Sequence, residues 1–143
     1  MTIGTGKLAQ IIAALGLSAV FTLTPSYAQN SSSTKVYELR TYTATPGNLN
    51  KLLDRFRNHT MRIFEKHGMT SIAYWVPRDE EESSNTLVYV LAHDSQEAAN
   101  RSWQAFSQDS EWQKVNEDSN ADGAILQSVV RKFLTPTDFS PMQ

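Results

Sequence analysis

From Lys35 to Tyr42 the chain reads KVYELRTY. A β-strand sends alternate residues to opposite faces, so Val36, Glu38, Arg40 and Tyr42 share one side and Tyr37, Leu39 and Thr41 the other. Pro46-Gly47 then turns the chain. From Leu49 to His67 the apolar residues Leu49, Leu52, Leu53, Phe56, Ile63 and Phe64 recur at helical spacing, while Lys51, Arg55, Arg57, Arg62 and Lys66 fall mostly outside their stripe. Gly68 supplies the left-handed residue that ends many helices.

MTSIAYWVP (Met69 to Pro77) reads as a second strand and NTLVYVLAH (Asn85 to His93) as a third, antiparallel to it across a short acidic loop whose charges, Asp79 to Glu82, keep it solvated. DSQE is a capping box in which Asp94 would accept from the Glu97 backbone, opening a helix that carries Ala98, Ala99, Ser102, Trp103 and Phe106. DSEW, Asp109 to Trp112, starts a second short helix that should fray near Gly123. A fourth strand runs from Ala124 to Leu134 and stops before Pro136. The order β-α-β-β-α-β predicts an α+β, ferredoxin-like domain over residues 35–141, with a four-stranded antiparallel sheet. Helices cover one face of such a sheet. Nothing in the remaining chain is available for the other face, so two copies are expected to pair there as a homodimer, closing an α+β barrel.

The N-terminal stretch changes where this domain is expected to work. Lys7 is the only charge before the apolar run Leu8 to Leu23, and the small residues Ser26 and Ala28 follow, which is the pattern of a secretory signal peptide over residues 1–28. The run is too short and too interrupted, by Gln10, Gly16 and Ser18, for a comfortable membrane span, so no stable membrane insertion is expected after cleavage. Residues 29–34 would be a polar linker, and the mature protein would be periplasmic or secreted. Removing the first 28 of 143 residues leaves 115, enough for one domain. Loss of Lys7 takes the formal net charge from −2 to −3, and no dense Lys/Arg cluster points to nucleic acid. With no cysteine, stability must come from the core or from the dimer.

YELRTYTATPG, EKHG, the YW pair at Tyr74 and Trp75, VYVLAHDSQEAANR, DSEWQ and the late PTDFSP, taken in this order, resemble the NIPSNAP family of dimeric α+β barrels. The resemblance runs from Tyr37 to about Pro141. It implies a ferredoxin-like protomer paired into a barrel, but no single reaction: proteins of this barrel type include cofactor-free monooxygenases, haem-degrading enzymes and ligand-binding proteins. Many members of the family carry a mitochondrial targeting segment or none, so an export signal argues against a mitochondrial or cytosolic role here.

Candidate chemistry begins with Glu38 and Arg40. They are expected to face the barrel interior with Tyr42, where Arg40 would anchor an anionic or carbonyl group of a ligand, while Tyr37, Leu39 and Thr41 would face the helices. The opposing reading is an ion pair that holds the dimer, or simply a wet strand face. Trp75 and Tyr89 would add aromatic walls. His59 and His67 lie on or near the apolar stripe of the first helix, as packed residues or as a general base or a metal or haem ligand at the pocket rim; about 12 Å of helical rise separates them, too far to ligate one ion together. No metal site is expected, and with neither G-x-G-x-x-G nor Walker pattern no cofactor is expected either. These residues favour an exported protein that binds a small, partly apolar ligand. The alternatives are a cofactor-free enzyme of monooxygenase or isomerase type and an interaction module without a ligand.

Overall fold

In the centre of the sheet lies β1 (Val36–Ala44), flanked by β3 (Thr86–His93) and β4 (Leu126–Leu134), with β2 (Thr70–Trp75) outside β3. All three pairings are antiparallel and the order is β2-β3-β1-β4, the ferredoxin-like arrangement expected from the chain. The computed structural model describes residues 35–142; the signal peptide and linker expected over residues 1–34 lie outside the described residues. Among the described residues no helix is long and apolar enough to cross a membrane.

The first helix is less regular than its pattern suggests. It runs as α1 (Leu49–Arg55), a π turn (Phe56–Thr60) and α2 (Met61–Lys66) without a break. Within the π turn the Thr60 hydroxyl donates to the Arg55 carbonyl five residues back, at 3.2 Å. Such turns insert a residue into the helix and recur at functional sites. At the far end, Gly68 adopts φ +72° and a Schellman cap closes: Gly68 N–H donates to the Glu65 carbonyl and Met69 N–H to the Phe64 carbonyl, each at 3.0 Å. Phe64 and Met69, the two apolar residues of that cap, are both buried.

α3 (Gln96–Gln108) and α4 (Ser110–Ser119) follow β3. The cap of α3 is Ser95 rather than Asp94: its Oγ accepts from Ala98 N–H at 3.1 Å, so the capping start sits one residue later than expected. Ser and Asp both serve at this position, and adjacent candidates cannot be separated by type alone. Asp109 does cap α4, accepting from Glu111 and Trp112 N–H.

Side-chain register contains one reversal. Glu38, Arg40, Tyr42 and Ala44 point toward the helices, together with Leu87, Tyr89, Leu91 and His93 of β3. Tyr42, Phe56, Phe64, Tyr89, Trp103 and Phe106 pack there as edge-on and stacked rings with centroids 5.1–6.0 Å apart. Such ring pairs contribute about 0.5–1.5 kcal/mol each beyond area burial. Tyr37, Leu39 and Thr41 instead occupy the face without helices, in register with Ala92, Val90 and Val88 of β3 and with Leu134, Lys132 and Val130 of β4. The expected assignment of β1's two faces is therefore inverted. A buried charge is tolerable where it is hydrogen-bonded, and the helix side provides those partners.

Candidate functional site

Three places in the fold bring chemistry-bearing side chains together, and six of the seven residues singled out in the sequence are distributed among them. The first is the inner network on Glu38, which is 0% exposed. Its Oε1 accepts from Arg40 Nη1 at 2.8 Å, with Arg131 Nε at 4.0 Å. Oε2 accepts from the indole N–H of Trp103 at 2.6 Å and lies 2.9 Å from His93 Nε2. Register explains the convergence: His93 pairs with Val36 and Arg131 with Arg40, so both share the Glu38 side of the sheet, and α3 lowers Trp103 onto it. Burial alone would raise the Glu38 pKa; the His93 and Trp103 hydrogen bonds and the Arg40 charge outweigh it and hold the carboxyl below its usual value. The Arg40 guanidinium also stacks over the Trp103 ring at 4.0 Å. Both oxygens of Glu38 are thus occupied by protein groups. The network ties β1, β3, β4 and α3 together, which is the register-setting role of a buried ion pair.

Tyr42 and Tyr89 border this network, their rings 5.2 Å apart. Among the described residues Arg40 Nε and His93 Nδ1 have no hydrogen-bond partner, and the Tyr89 hydroxyl faces the Tyr42 phenol. Burial first, and the neighbouring Tyr42 phenol second, push the Tyr89 pKa well above its ordinary value.

The second place is a pocket of about 310 Å³ on the open face of the sheet. Tyr37 and Val90 form its floor, Ile72, Trp75 and Leu134 its walls, and the tail from Thr135 to Met142 folds along one side. Among the described residues no charged side chain lines it. Trp75, 51% exposed, is the one residue from the predicted set found here. Around it Ile72, Val130 and Leu134 are also exposed, an apolar surface of the kind that marks binding sites and interfaces.

The third is a groove of about 260 Å³ between the π turn and α4, which contains the exposed His59. His67 belongs to none of the three. Its Nε2 lies 2.7 Å from Asp109 Oδ2, an oxygen that also accepts from Lys66 Nζ at 2.6 Å. Lys66 and His67, with the α4 backbone, hold the Asp109 pKa well below the usual carboxylate range. His67 thus joins α2 to the start of α4. The single pocket expected to contain Glu38, Arg40, Tyr42, His59, His67, Trp75 and Tyr89 is not formed, because the sheet stands between Trp75 and the Glu38 network and the two histidines lie on helices. Sequence reasoning missed His93, Trp103 and Arg131, which are 55, 65 and 93 positions from Glu38, too distant for any local motif to connect them. Among the described residues no group of three His, Asp or Glu side chains is placed to hold a metal ion.

The NIPSNAP family model matches residues 37–141. The chain belongs to the NIPSNAP family. Solved structures agree: a NIPSNAP family protein from Agrobacterium tumefaciens superposes with a TM-score of 0.67 at 21% identity, covering 76% of this chain and 99% of that one. A NIPSNAP-like domain protein from Burkholderia xenovorans gives 0.66 at 20% identity, covering 76% and 90%. The fold also extends beyond NIPSNAP proteins, to the cofactor-independent oxygenase SnoaB from Streptomyces nogalater, with a TM-score of 0.51 at 13% identity over 76% of this chain and 98% of that one. No curated protein matches the chain.

Proposed function

We propose that this NIPSNAP protein is exported and works as a homodimer that binds a small, largely apolar molecule at the open face of its sheet. The observation that carries this reading is the pocket of about 310 Å³ in which Trp75 stands half exposed against Ile72, Val90 and Leu134. Sites for small ligands are mostly apolar with a few polar groups that fix orientation. Here the polar lining residues are Tyr37, Thr135 and Thr137, which suit a carbonyl or hydroxyl better than a strong anion. Arg40, buried behind the sheet with Glu38, is not the anchor. A second copy laid on the same face would shut the pocket and remove Val130, Leu134 and Trp75 from water. Native mass spectrometry of protein purified from its own host tests the reading. A co-purifying small molecule, lost from a Trp75→Ala variant, supports it, and the same adduct on that variant opposes it.

A second reading rests on a different observation. SnoaB, which shares the fold, is a cofactor-independent oxygenase, and on the helix side of the sheet the buried Arg40 Nε and His93 Nδ1 have no partners among the described residues, with the Tyr89 and Tyr42 phenols beside them. Buried unpartnered groups of this kind suit a phenolic substrate from which a proton is moved. Oxygen uptake with dihydroxynaphthalene as probe would support it; uptake no faster than the buffer blank would retire it.

A further inference from the structure

Arg55 stands out among the buried side chains. It is 5% exposed, at the end of α1 where the π turn begins. Among the described residues its Nη1 donates to Ser119 Oγ at 3.1 Å, its Nε has no partner and no carboxylate lies within 4 Å, whereas the partly buried guanidinium of Arg40 has Glu38 at 2.8 Å. The face of the guanidinium is covered by the Trp112 ring, 5.2 Å from Cζ. Buried charges are normally paired, because leaving one without a counter-ion is costly. Arg55 also lines the groove of about 260 Å³ between the π turn and α4, so the unmatched cation borders open space.

The remaining charges around that groove indicate what would fit. Asp54 and Asp118 are on its walls, but Asp54 is paired with Arg57 and Asp118 with Lys114. Lys51 is paired with Asp122. One positive charge, that of Arg55, is left to be met, and the two wall carboxylates would repel a dianion. A guanidinium fork matches a carboxylate in plane and spacing. Asn58 and His59 of the π turn stand at the edge as additional polar contacts.

We infer that this groove is an anion site in which the Arg55 guanidinium, backed by Trp112 and oriented by Ser119, takes the carboxylate of a small organic monoanion. The site is separate from the open-face pocket and goes beyond the function proposed above.

Isothermal titration with benzoate as the probe tests it, with benzyl alcohol as neutral isostere and phosphate as the more highly charged anion. The parent is expected to bind one benzoate per chain, and benzyl alcohol at least about tenfold more weakly, the loss of one charge-assisted contact. Arg55→Met should weaken benzoate by about tenfold or more, yet melt no lower than the parent in buffer alone, since an uncompensated buried cation has been removed. Arg55→Lys should fall between the two, because it keeps the charge and loses the fork. Trp75→Ala should leave benzoate binding unchanged, which separates this site from the open-face pocket. No saturable heat with millimolar benzoate, equal binding by the parent and Arg55→Met, or phosphate binding more tightly than benzoate would overturn the inference.

Discussion

The indole N–H of Trp103 donates to the Glu38 carboxylate at 2.6 Å, and the same ring carries the Arg40 guanidinium on its face at 4.0 Å. One side chain of α3 therefore contacts both members of a buried ion pair on β1, and fixes which side of the sheet the pair occupies.

Arg40→Leu removes the shortest contact to Glu38 Oε1 and leaves Trp103, His93 and the more distant Arg131. A cost of about 1–3 kcal/mol at neutral pH is expected, the penalty for a buried acceptor losing its charged donor. In the parent the Glu38 pKa is lowered from 4.5, so its contribution is present above that value and is lost as pH falls through the folded value. In the variant the folded pKa rises. The gap in stability between parent and variant should thus be widest near neutrality and narrow in acid, as denaturant midpoints at a series of pH values would show. Adding Glu38→Leu should restore only part of the loss, because it strands the Trp103 N–H and His93.

Asp109→Asn keeps an acceptor for the α4 cap and discards the charge that meets Lys66 and His67. The parent's Asp109 pKa is well below its ordinary value, so its stabilisation is complete above about pH 4 and declines as pH falls further. Thermal melts should place the variant below the parent at neutral pH, with a flatter decline under acid conditions. Parallel curves for the two proteins would contradict this account.

The order of strands and helices, the Asp109 cap and the Gly68 stop were legible in the sequence because each rests on a local signal. Which way β1 faces was not. A period-two split divides Glu38, Arg40 and Tyr42 from Tyr37, Leu39 and Thr41 but is silent on which set meets the helices, and a strand face with two charges reads most simply as the one away from the core. Trp103 and His93 decide the matter, and both reach Glu38 from other elements. The π turn was likewise invisible, since Phe56 and Thr60 continue an ordinary helical pattern. Val90, Val130 and Leu134 have the composition of core strands, and only the missing layer above them shows that they form an open surface.

Val90→Lys places a charge at the centre of that surface, opposite Leu39 and Ala73. If two copies pair through this face, sedimentation should give a dimer for the parent and a monomer of intact secondary structure for the variant. A parent that sediments as a monomer at micromolar concentration would remove the dimer from the account.

The central claim, an apolar ligand site at the open face, is tested most directly by fluorescence titration of the parent and of Trp75→Ala with N-phenylnaphthylamine, an uncharged aromatic probe of pocket size. Trp75 is a wall of the pocket, while Trp103 and Trp112 lie on the helix side of the sheet. The account predicts saturable enhancement of probe emission in the parent, with at least about tenfold weaker binding in Trp75→Ala. Equal affinity in the two proteins, or no saturation in the parent, would contradict it.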